Sequence, residues 1–129
     1  MIHPITTALV VDLYASQVRA GVLREYGALD GAVGAPFVEF SGYSPYPTLA
    51  QKAGKLLDGI QRVQAFSDGN KRIAWLATDV FLYHNGQVLK ETDPNHINEF
   101  VRGLAGCKDG EVRATEWLSQ RMRHYHEYP

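Results

Sequence analysis

The chain has 129 residues, of which 45% are hydrophobic and 21% charged, a composition that suits a single globular domain, residues 1–129, with one core. Its net charge of -1 excludes bulk electrostatic attraction to nucleic acid or to anionic membranes. No apolar run approaches the ~20 residues that span a bilayer, so no membrane association is expected.

The start, Met1-Ile2-His3-Pro4, has no basic region followed by an apolar stretch. No signal peptide is expected, and the location expected is the cytoplasm. Cys107 is the only cysteine and is expected to be a small buried apolar residue.

Thr6 or Thr7 can cap a first helix running to about Tyr26, because Leu9, Val10, Leu13, Tyr14, Val18 and Val22 recur at helical spacing. Gly27 is expected to stop it. From 27 to 47 the chain is punctuated by Gly31, Gly34, Gly42, Pro36, Pro45 and Pro47, and Pro36 to Phe40 alternates like a short strand. This stretch predicts an exposed loop or hairpin, serving either as a surface connection or as a substrate-docking flap with Tyr43 and Tyr46 as contacts.

A second helix is predicted from Pro47 or Thr48 to about Val63, with Leu49, Ala53, Leu56, Leu57, Ile60 and Val63 on its core face. Gln64 to Asp68 connect it to a third helix beginning near Gly69 and ending at Asn85-Gly86. The third helix is the most apolar and is expected at the centre. Gln87 to Lys90 read as a short extended piece. Asp93-Pro94, an N-cap followed by an N1 proline, opens another helix to about Gly103 or Leu104. Thr115 can cap a last helix through Tyr125, with Trp117, Leu118, Met122 and Tyr125 on its core face and Arg113, Arg121 and Arg123 in solvent. The sum is an all-α chain of about five to six helices with at most one small hairpin.

The chemistry concentrates in Gln64-Ala65-Phe66-Ser67-Asp68-Gly69-Asn70-Lys71-Arg72. A helix N-terminus offers unpaired N–H groups and partial positive charge, which attract phosphate. Gly69 lets backbone approach an anion, and Asn70 can donate to a phosphate oxygen or hold the loop. Arg72 can fork onto two phosphate oxygens and Lys71 adds a point charge. Asp68 stands where a Mg²⁺ bridging phosphates would sit. The plainer alternative is that Asp-Gly is a turn, that Asp68 caps the helix, and that Lys71 and Arg72 lie on a solvated face. Arg62, two residues before Gln64, can reach a phosphate or serve a structural role. His84 suits the C-terminus of its helix. His124 and His126 form no metal pair if they sit on a helix, where residues two apart point in different directions.

The order Phe66, Asp68, Gly69, Asn70, Lys71, Arg72, ahead of an apolar helix, resembles the signature of the Fic/Doc family, His-x-Phe-x-Asp-Gly-Asn-Lys-Arg, with Gln64 in place of the histidine. Chain length, helical order, the glycine- and proline-rich stretch and Tyr26-Gly27-Ala28-Leu29 extend the resemblance, which is strongest to the short death-on-curing (Doc) toxins. It implies a toxin of a toxin–antitoxin pair, restrained by a small antitoxin. The implied chemistry uses Mg-ATP to modify a hydroxyl of a protein target, here an elongation factor Tu-like translation protein. Asp68 would hold Mg²⁺, and Gly69, Asn70, Lys71 and Arg72 would position ATP phosphates.

Fic proteins that transfer AMP carry glycine at the position of Lys71, so the resemblance favours phosphate transfer over AMP transfer. The residue at position 64 would deprotonate the incoming hydroxyl, which glutamine cannot do near neutral pH. The chain is therefore expected to be an impaired enzyme or, alternatively, an inactive nucleotide- or partner-binding module. Gln64 is either native to a degenerate copy or a replacement that lets a growth-inhibiting protein be produced. No glutamate is followed by glycine or asparagine, so the family's inhibitory helix pattern is absent from this sequence.

Overall fold

The computed structural model describes residues 1–90 and 93–127, with only the backbone at Glu127. Among them are six α-helices: α1 (Thr7–Leu13), α2 (Tyr26–Gly34), α3 (Leu49–Val63), α4 (Asn70–His84), α5 (Pro94–Leu104) and α6 (Gly110–Arg121). Two short strands, β1 (Gln87–Leu89) and β2 (Met122–His124), pair antiparallel with Val88 opposite Arg123. The all-α expectation holds.

Helix α3 lies at the centre, not α4. It buries Ala53, Leu56, Leu57 and Ile60 together with the polar Lys52, Asp58 and Gln61. Its many charged and amide side chains bring its mean hydropathy below that of α4, which hides its centrality from a hydropathy reading. Its start follows the sequence: Thr48 Oγ1 accepts from Gln51 N–H (3.1 Å), and Gln51 Oε1 accepts from Thr48 N–H (3.0 Å), a closed capping box. Helix α6 crosses α3 at Gly54, where a Cβ would stand 2.7 Å from Thr115 N and 2.9 Å from Glu111 O. Helix α4 packs with Ile73, Ala74, Ala77, Phe81 and Leu82 in the same continuous core.

The first helix is much shorter than its apolar spacing suggests. After α1 the chain widens into a π-helical turn, Tyr14–Val18, and ends at Arg19, which is left-handed (φ 53°) and donates to Tyr14 O. The following residues pair with the segment carrying Phe66 instead of continuing the helix. Arg24 and Glu25 N–H both donate to Ala65 O (2.8 and 3.0 Å), and Ser67 N–H donates to Val22 O (2.8 Å). Long-range backbone bonds thus override local helical preference.

Gly27 stops nothing; it lies in the first turn of α2. The glycine-rich stretch from 27 is therefore half helical. It continues as a 3₁₀ turn, Ala35–Phe37, where a strand was expected. Only its tip is a hairpin: Phe40 and Tyr43 exchange both backbone bonds (2.8 Å each) across left-handed Ser41 and Gly42. Lys52 anchors its base, donating to Tyr46 O (2.7 Å) and Pro36 O (3.2 Å). Tyr46 packs under Lys55 Nζ, 5.4 Å from its ring centroid, while Tyr43 is exposed at the tip.

The last helix begins earlier and ends sooner than expected. Thr115 is inside α6, its hydroxyl donating to Glu111 O, and Met122 leaves the helix to pair with Leu89. Arg121 is not simply solvated: it lies over the Trp117 ring at 4.1 Å. His124 and His126 are not helical neighbours, and their rings face one another with centroids 4.7 Å apart. Cys107 is half-buried, not buried, its thiol donating to Gly103 O.

Candidate functional site

The helix start at Asn70 is held from three directions. Gln64 ends α3 in the left-handed region (φ 48°, ψ 51°), turning the chain sharply so that Ala65 and Phe66 meet Leu23. For a residue with a Cβ that conformation costs ~1–2 kcal/mol, and it leaves the side chain exposed. Phe66 is buried and stacks on Tyr14 with centroids 3.8 Å apart, an arrangement worth ~0.5–1.5 kcal/mol beyond its burial. The Tyr14 hydroxyl donates to Asp68 O (2.8 Å). The π-turn is what aims Tyr14 and Val18 at this loop; such turns often mark functional sites.

Asn70 closes the loop on itself. Its Nδ2 donates to Phe66 O (2.8 Å) and its Oδ1 accepts from Phe66 N–H (3.0 Å). The side chain thus holds the loop, the structural one of the two roles open to it from the sequence, with its second amide N–H and the backbone N–H uncommitted. Gly69 is the N-cap, at φ +76°; a Cβ there would fall 2.7 Å from Val18 Cγ1 and 3.1 Å from Ala20 Cβ. Asp68 does not cap the helix. Its Oδ1 accepts from Gly69 N–H (2.7 Å), which fixes the carboxylate beside the helix start.

These residues line one wall of a cleft of about 830 Å³. Gln64, Asp68, Gly69, Asn70, Lys71 and Arg72 all border it, with Ser67, Gln61 and Trp75. No residue of the hairpin tip borders it among the described residues. Lys71 and Arg72 have no ion-pair or side-chain hydrogen-bond partner among the described residues, so both charges are available to an anion.

The second wall comes from α5, through Pro94, Ile97, Asn98, Val101 and Arg102. Arg102 is the one cationic residue of the cleft that the motif does not contain. Sequence reading missed it because it lies 30 positions beyond Arg72 and carries no motif of its own. Arg62, by contrast, is structural. It donates to both oxygens of Asp58 (2.9 and 3.2 Å) and to Cys107 O (2.8 Å), and its hydrogen bonds to the Asp58 carboxylate raise its pKa above the ordinary arginine value.

The donor set suits Mg²⁺ better than an all-protein metal cage. No group of three or more His, Cys, Asp or Glu converges among the described residues. Mg²⁺ needs only one or two carboxylates, completed by phosphate and water, and Asp68 supplies one with an oxygen uncommitted.

Comparison with protein families matches residues 4–82 to the Fic/DOC family. Over 84 residues the chain is 39% identical to "Toxin Doc" of Mycolicibacterium smegmatis (strain ATCC 700084 / mc(2)155). That stretch covers 64% of this chain and spans 65% of the length of the relative.

Proposed function

The chain belongs to the Fic/DOC family, and on that premise we propose that it is the toxin of a toxin–antitoxin pair, one that phosphorylates a hydroxyl of a translation protein with Mg-ATP. An elongation factor Tu-like protein is the proposed target, the cytoplasm the proposed location, and residues 1–129 a single domain. The observation that carries this reading is the first turn of α4: free cationic side chains, a glycine N-cap and one fixed carboxylate share a cleft large enough for a nucleotide.

In the proposed reaction the acceptor hydroxyl oxygen forms a bond to the terminal phosphorus, the bond from that phosphorus to the bridging oxygen breaks, ADP leaves, and the hydroxyl proton passes to solvent water. Arg72 and the first N–H groups of α4 bind the phosphate oxygens and hold them in line. Lys71 offsets their charge. Asp68 is the residue that would hold Mg²⁺, which would supply charge neutralisation at the phosphates. Gln64 can accept a hydrogen bond from the incoming hydroxyl and orient it, but it removes no proton.

The lysine at position 71, in place of a glycine, supports phosphate over AMP transfer: its side chain occupies space that a glycine nest would leave to the outer phosphates. Isothermal titration tests the site directly. Asp68→Ala is expected to weaken Mg-ATP binding at least tenfold while leaving metal-free ATP binding nearly unchanged. Equal affinity for Mg-ATP in the two proteins would remove the metal role.

The proposed antitoxin is a small protein encoded beside this chain. Co-expression with the neighbouring reading frame is expected to yield a complex stable to gel filtration, and two separate peaks would count against it.

A further inference from the structure

We infer that Arg102 is a phosphate-contacting residue on the second wall of the cleft, held in place by Arg62 as a positioning residue; the inference rests on the nucleotide reading above. The cleft is not a one-sided groove. Lys71 and Arg72 stand on α4 and Arg102 on α5, against a single carboxylate among the described residues, Asp68. Among the described residues the Arg102 guanidinium has no hydrogen-bond or ion-pair partner. An anion bound between the walls would meet cationic side chains on both. A single charge suits one wall. Charge on both walls suits an extended anion with several charges, such as a triphosphate, reached from both sides.

Helix α5 packs on the core through Val101 and Leu104, which are buried, and through Ile97 and Phe100, which are partly buried. Two further contacts hold it. On one side Phe100 stacks flat on Trp117 (4.4 Å, 7°). At its C-terminal end Arg62 Nη2 donates to Cys107 O (2.8 Å) and reaches Leu104 O (3.4 Å).

Arg62 is itself held by Asp58, which is 7% exposed, and Asp58 also accepts from Gln61 Nε2 (3.1 Å), a residue of the cleft. Gly110 makes room for this network: a Cβ there would lie 2.7 Å from Arg62 Nη2. One helix, α3, therefore ends in Gln64 on the first wall and, two residues earlier, grips the end of the second.

Calorimetry with Mg-ATP and with inorganic tripolyphosphate tests this. Arg102→Ala is expected to weaken both ligands about tenfold without changing the unfolding temperature, and Arg102→Lys to recover part of the loss. Arg62→Ala is expected to reproduce the loss, and the Arg62→Ala/Arg102→Ala double variant to lose little more than either alone. Should Arg62→Ala fail to fold, Arg62→Lys takes its place in the cycle, since one ammonium cannot span Asp58 and Cys107 O together. Tight binding by the unaltered chain with no change in Arg102→Ala overturns the inference and leaves the nucleotide reading standing. Absence of binding of either ligand by the unaltered chain overturns both. Losses that simply add would remove the positioning role of Arg62.

Discussion

Gln64→His is expected to raise phosphoryl transfer by ~10²–10⁴-fold, the usual contribution of a positioned general base. The backbone is ready for it. Position 64 is left-handed (φ 48°), a region in which histidine is tolerated better than most residues with a Cβ. The side chain at that position is exposed and borders the cleft beside Asp68 and the start of α4. Neither Phe66 nor Asn70, which shape the loop, bonds to the Gln64 side chain, so the substitution leaves the loop intact.

The measurement is incubation of both proteins with bacterial extract and ATP labelled at the α- or the γ-phosphate. Protein label from γ alone, in the histidine variant, supports phosphate transfer by a site disabled at Gln64. Label from α would assign AMP transfer and show that Lys71 does not decide the chemistry. Unlabelled protein with intact Mg-ATP binding would leave an inactive nucleotide-binding module.

The largest effect on stability is expected at Gly54. A methyl group there meets backbone on the facing helix, Thr115 N at 2.7 Å and Glu111 O at 2.9 Å, and backbone cannot swing aside as a side chain can. Helices α3 and α6 would have to separate, opening the core on either side of Leu56, Leu57, Ala114 and Leu118, all of which are fully buried. Overpacking of this kind costs ~1–3 kcal/mol, and more where the clash is with backbone. Urea unfolding of Gly54→Ala should show a lower midpoint with an unchanged slope. An unchanged midpoint would mean that the crossing is loose and that α6 contributes less to the core than its burial implies. Because α3 also carries Gln61, Arg62 and Gln64, a separated crossing should weaken nucleotide binding as well.

What the sequence by itself determined is local. The capping box at Thr48 and Gln51 and the Asp93-Pro94 helix start each depend on residues within a few positions of one another. The motif loop belongs to this group, since Asn70 secures Phe66 only four residues away. The tertiary structure decided the rest. Residues 19–25 have helical spacing yet pair with Ala65 and Ser67, more than 40 positions distant, because those backbone groups satisfy each other there. The last helix gives up Met122 to Leu89 for the same reason. Arg102 has no local signature at all: it borders the cleft because tertiary packing of α5, through Val101, Leu104 and the Phe100–Trp117 stack, sets that helix opposite α4. Periodicity records which face of a segment is apolar, not which distant backbone will claim its hydrogen bonds, and that second question settled both the ends of the helices and the second wall of the site.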